Sequence, residues 1–163
     1  MIREIAAICL GVTLSTTVSA DDVTRTVNIK RLTLATALEI AQGAIDACRR
    51  EGIQIGVTVV DRDGTPQVAL RDTIAAPVTV EISRQKAFTA VNFNAATSQL
   101  VARANTPIGR VQGLVMSAGG LPVQAGGMLL AGVGVSGAPS GETDEACAQA
   151  GIDKVLDDLE MSM

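Results

Sequence analysis

Residues Gly119 to Gly137 read GGLPVQAGGMLLAGVGVSG, and the fold turns on how the chain continues beyond the last six letters, GVGVSG. Those letters match G-x-G-x-x-G, the pattern of a dinucleotide site. The pattern binds a pyrophosphate only where a strand passes directly into a helix, so that backbone N–H groups and the helix N-terminus meet the phosphates. Here Ala138-Pro139-Ser140-Gly141-Glu142 intervenes, a loop that postpones the helix. Asp157 lies twenty residues beyond Gly137, yet on the outward face of the terminal helix, and no chain remains to complete a parallel βαβ unit. The glycines are better explained as leaving one strand face bare, for a neighbouring helix or a flat ligand to approach closely.

Working outward, Gly119-Gly120 and Gly126-Gly127 break the segment from Val111 into short apolar runs, which predicts three antiparallel strands with a two-residue turn at Gly126-Gly127. Pro122 belongs at a strand start or on an edge. Upstream, IQIGVTVVDRDGTPQVALR (53–71) places Asp-Gly between two β-rich runs and predicts a hairpin. Leu34, Ala37, Leu38, Ala41, Ile45 and Cys48 recur at helical spacing, with Thr33 as N-cap and Gly52 past the C-terminus. A second helix is expected over Thr79 to Phe93 and a short helical piece over 95–104. The last helix is expected from Thr143, as N-cap, to Leu159, with Ile152, Val155, Leu156 and Leu159 inward. The order α-β-β-α-α-β-β-β-α predicts an α/β (α+β) domain, an antiparallel sheet of about five strands covered by helices.

The first twenty residues combine Arg3, an apolar run from Ile5 to Leu14 and Val18-Ser19-Ala20. This is the pattern of a secretory signal peptide cleaved after Ala20. The remaining 143 residues (163 minus 20) suffice for one domain, 21–163, and the expected location is periplasmic or secreted. A net charge of −4, no basic patch and only two aromatic residues, Phe88 and Phe93, argue against nucleic acid as a partner. No other stretch is apolar enough for stable membrane insertion. Cys48 and Cys147 form either a disulfide suited to an oxidising compartment or two buried thiols. Without His or a CxxC pair in that domain, a zinc or thiol-redox site is not expected.

The chemistry centres on Lys86, which shares a helical row with Ile82, Thr89 and Phe93. A lysine there either pairs with a ligand carboxylate or extends its ammonium to water. Arg71 and Arg84 are further anion candidates. Asp61 and Asp63 are read as turn residues and not as a calcium loop. Ser117, Ser136 and Ser140 have no His to activate them.

GLVMSAGGLPVQAGGMLLAGVGVSG (113–137), TDEACAQAGI (143–152), GVTVVDRDGTPQVALR (56–71) and ISRQKAFTAV (82–91) together resemble the GlcG/HbpS family, also described as haem-degrading or DUF336 proteins. That family includes the C-terminal domain of PduO cobalamin adenosyltransferases. The resemblance covers nearly all of residues 21–163. It implies a profilin-like sandwich with helices on both sheet faces, homo-oligomers, and haem or corrinoid binding in some members. The chain departs from the pattern at RDTIAAPVT (71–79), where relatives often carry Arg-x-Asp-Gly-Ala, and in lacking His, so it supplies no His ligand to a haem. An axial ligand from this chain is then Met, Cys, Lys or a hydroxyl, with Met116 and Met128 as metal candidates. The expected function is small-molecule binding, with haem or a related tetrapyrrole between the Lys86 helix and the glycine hairpin. The ligand residues are Lys86, Thr89, Arg71, Arg84, Phe93, Gly119, Gly120 and Pro122. The alternatives are an enzyme acting on a small organic acid, held by Lys86 or Arg71, and a structural subunit of a periplasmic assembly.

Overall fold

A computed structural model describes residues 25–163. The signal-peptide segment expected over 1–20 lies outside the described residues. Two hydrophobic periodicities build the architecture: a period of two over the hairpins and about 3.6 over the long helices. The elements run α1 (Leu34–Arg50), β1 (Gly56–Asp61), β2 (Pro66–Arg71), α2 (Val78–Phe93), two 3-10 helices (Thr97–Arg103 and Pro107–Arg110), β3 (Gly120–Ala125), β4 (Met128–Ser136) and α3 (Gly141–Met161).

The four strands form one sheet in the order β2-β1-β4-β3, every pairing antiparallel. β1 and β4 are therefore central, and β1 is buried at every position while β2, on the edge, is exposed at three of its six positions. The side chains of β1 and β4 alternate between two layers. Val57, Val59, Val133 and Val135 join the larger core with α1 and α3, whereas Val60 packs with Ala87 and Val91 of α2. The result is α2 on one face and the α1–α3 pair on the other.

The sheet has four strands and not about five. The run from Val111 to Ala118, expected as a strand, joins no strand ladder: Val111 donates to the Ile108 carbonyl, Leu114 to the Val111 carbonyl and Val115 to the Thr89 hydroxyl. The 3-10 helix at Pro107–Arg110, the turn at Gly113, whose φ is 90°, and the Thr89 hydroxyl take those groups before a strand partner does. Gly119-Gly120 consequently leads into β3 and does not join two strands, while Gly126 and Gly127, at φ of 55° and 73°, form the expected two-residue turn.

The N-cap of α3 also differs from expectation. Ser140, three residues before Thr143, caps it by accepting the Thr143 N–H on its hydroxyl. An earlier start puts Glu142 and Asp144 in the first turn, where the helix dipole favours carboxylates. Thr33 caps α1 as expected, accepting from Thr36 N–H. Cys48 and Cys147 are disulfide-bonded with Cα atoms 5.6 Å apart, tying α1 to α3 beneath the sheet.

Candidate functional site

Gly132 and Gly134 of GVGVSG face α2, while Gly137 lies against the backbone of Gln54 and Ile55. A Cβ on Gly134 would stand 2.0 Å from the Ser83 carbonyl oxygen, and one on Gly132 would stand 2.6 Å from that of Ala87. Both distances are far inside van der Waals contact, so the bare strand face is occupied by helix backbone. Of the two partners that the sequence left open for this face, a helix or a flat ligand, it is the helix that lies there. β4 then passes into a loop before α3 and has antiparallel neighbours on both sides, which removes the geometry of a nucleotide cleft.

That close approach carries Lys86 inward. Its side chain and that of Asp144 are each 5% exposed, and Lys86 Nζ donates to Asp144 Oδ2 at 2.8 Å and to the Val135 carbonyl at 3.0 Å. Asp144 Oδ1 accepts the Ala138 N–H at 2.9 Å. Burial pushes the Asp144 carboxyl above its ordinary pKa, against the opposing pull of the Lys86 and Ala138 hydrogen bonds. Where a ligand carboxylate or bulk water was expected beside Lys86, the carboxylate present is that of Asp144. The sequence contained the partner, in the first turn of α3, but 58 residues away and with no local signal of contact.

The remaining sequence-derived residues are dispersed. Thr89 is buried, donating to the Gln85 carbonyl and accepting the Val115 N–H. Gly119 donates its N–H to Glu145, Gly120 donates its N–H to Thr97, and Pro122 sits in edge strand β3. Arg71 binds the Ala75 carbonyl, and Arg84 pairs with Glu81 on the surface of α2, holding the Glu81 carboxyl below its usual range. Phe93, at the end of α2, lies under the Arg103 guanidinium, 5.9 Å from ring centroid to Cζ. Met116 is buried in the loop before β3, and not on a strand as expected, while Met128 is exposed at the hairpin tip. Asp61 accepts the N–H groups of Asp63 and Thr65, as a turn residue does.

A groove of about 430 Å³ opens on the opposite side of the sheet, between the chain before α1 and the end of α3. Leu32, Leu130, Val155 and Leu159 form its apolar wall, and Lys30, Arg31, Glu39 and Asp158 bring charges of both signs. Arg31 is bound by Asp61 and Asp63, and Lys30 donates to the Met163 carbonyl. Sequence reasoning missed this groove because its lining comes from separate stretches of chain. Among the described residues, no cluster of three or more His, Cys, Asp or Glu is placed to hold a metal ion, and no helix is long and apolar enough to cross a membrane.

The fold is shared with solved proteins. The crystal structure of HbpS superposes with a TM-score of 0.77 at 40% identity, covering 85% of this chain and 99% of that one. ORFY of Klebsiella pneumoniae, assigned to DUF336, gives 0.74 at 25% identity over 80% and 94% of the two chains. The PduOC:heme complex gives 0.70 at 28% identity over 76% and 94%. No curated protein matches the chain. Residues 32–153 match the family model described as "Haem degrading protein HbpS-like". That span holds α1, the whole sheet, α2 and more than half of α3, so the chain belongs to the HbpS-like family.

Proposed function

We propose that this protein is an exported, oligomeric binding protein for haem or a related tetrapyrrole. The observation that carries the reading is the shared fold with PduOC, whose structure is a haem complex, at 28% identity over 76% of this chain. The Cys48–Cys147 disulfide supports export, because such bonds persist mainly in oxidising compartments. Exposed Ile74, Val78, Leu34 and Leu38 supply apolar surface that association between copies would cover. Helices on both faces of an antiparallel sheet agree with a profilin-like arrangement.

The residues present fit such a ligand in a particular way. The chain has no His, and the Lys86 ammonium is engaged by Asp144, so affinity rests on apolar contact and carboxylate pairing, with thioether or hydroxyl groups as the available metal donors. Haem itself would supply the iron and the planar macrocycle.

Titration of the purified protein with hemin tests the reading. A saturable Soret shift with a fixed stoichiometry is expected. A spectrum equal to the sum of free hemin and protein at every ratio removes the proposal. Native mass measurement of the same sample reports the assembly, and a monomer at all concentrations removes the oligomeric part alone.

A further inference from the structure

From Ile82 to Gly141, sixty consecutive residues contain no Asp or Glu, in a chain whose net charge is −4. Four cations fall in that stretch. Arg84 is paired with Glu81 and Lys86 with Asp144, which leaves Arg103 and Arg110 without an ion-pair partner among the described residues. Both are exposed, on the two 3-10 helices that connect α2 to β3.

The segment is built and not loose. Thr97 accepts the Gly120 N–H at 2.8 Å, Ser98 donates to Glu145 at 2.9 Å, Leu100 is buried, and Val115 donates to Thr89. Gly109 lies against the Arg103 and Ala104 carbonyls, folding the second 3-10 helix back on the first. This framework presents Val101, Ile108 and Val111 to solvent at 54%, 40% and 49% exposure, and on the same connection the Arg103 guanidinium lies over the Phe93 ring. Three outward aliphatic side chains on a chain segment pinned at both ends make a preformed apolar surface with cations on it.

We infer that this surface, carrying Arg103, Arg110, Phe93, Val101, Ile108 and Val111, is the receiving site for a flat aromatic ligand bearing two carboxylates. The inference rests on the tetrapyrrole reading and names its site. A macrocycle covers the aliphatic side chains, and its two carboxylates meet two guanidiniums that have no ion-pair partner among the described residues, the pairing that planar donor forks favour. The groove beside α1 is the competing location. There Glu39 and Asp158 line the wall, and both cations already have oxygen partners, so a dianion would meet repulsion in place of pairing.

The test titrates hemin and iron-free protoporphyrin into the wild-type protein, Arg103→Gln/Arg110→Gln and the groove variant Lys30→Gln. Protoporphyrin dimethyl ester, which lacks the free carboxylates, is titrated into wild type alone. The double variant is expected to weaken both porphyrins at least tenfold, Lys30→Gln to leave them within twofold, and the ester to bind at least tenfold more weakly than the diacid. Wild-type binding that survives unchanged in the double variant, or an ester that binds as well as the diacid, overturns this site while the tetrapyrrole reading stands. No porphyrin binding to wild type overturns both. The ester comparison uses unaltered protein, so it can overturn the site even if the double variant folds poorly.

Discussion

Lys86 Nζ lies 2.8 Å from Asp144 Oδ2, joining the middle of α2 to the first turn of α3 across the end of β4. The Val135 carbonyl and the Ala138 N–H complete the set of polar contacts, so neither charge is left bare. Water is nearly excluded, which makes each partner dependent on the other.

Lys86→Ala or Asp144→Ala should each destabilise the protein by about 3–5 kcal/mol, since each strands a buried charge. Lys86→Met combined with Asp144→Leu should recover most of that loss. Urea unfolding of the three variants measures both effects; single substitutions costing less than about 1 kcal/mol would show that the pair is solvated.

Cutting the link between α1 and α3 acts on the unfolded chain. Cys48 and Cys147 are 99 positions apart, and the chain-entropy estimate for a loop of that length is about 4–5 kcal/mol. The Cys48→Ser/Cys147→Ser protein should therefore melt well below the oxidised wild type, and dithiothreitol should lower the wild-type midpoint in parallel. Equal melting with and without reductant contradicts the bond.

At Gly134, where an added Cβ would stand 2.0 Å from the Ser83 carbonyl, alanine should push α2 off the sheet. Overpacking of this kind costs about 1–3 kcal/mol or more. Gly134→Ala should also change hydrogen exchange in α2 more than in α1. A fully neutral substitution would mean that α2 has room to retreat.

Acid should weaken the tie between α1 and the end of the β1–β2 hairpin. Arg49 donates to both Asp72 carboxylate oxygens at 2.7 Å, and that hydrogen bonding holds the Asp72 carboxyl below its usual pKa. A depressed carboxylate pKa adds stability that is present above the unfolded value of about 3.9 and is lost as pH falls through the folded value. Asp72→Asn should lower stability at pH 7 and flatten the slope of stability against pH below about 4. An unchanged acid slope in that variant assigns the acid sensitivity to other carboxylates.

The periodic elements were legible one residue at a time. Apolar spacing over α1, Asp-Gly in the first hairpin and Gly126-Gly127 in the second each express a local rule, in which the neighbouring few residues decide the backbone. The same holds for rejecting a nucleotide cleft, because the loop after Gly137 is itself a local feature. Element edges were less legible where two capping residues compete, as Ser140 and Thr143 do, and an apolar run such as Val111–Ala118 carries no mark of whether a strand partner exists.

What the sequence determined alone is therefore the three long helices, the two hairpins and the family motifs, since these arise from chain-local chemistry. Only the tertiary structure decided that Cys48 reaches Cys147, that Asp144 answers Lys86, that α2 covers Gly132 and Gly134, and that Arg103 and Arg110 stay unpaired among the described residues. Each of these depends on which distant segments the packed layers bring within a few ångströms. A residue's own neighbours in the chain carry no record of that distance.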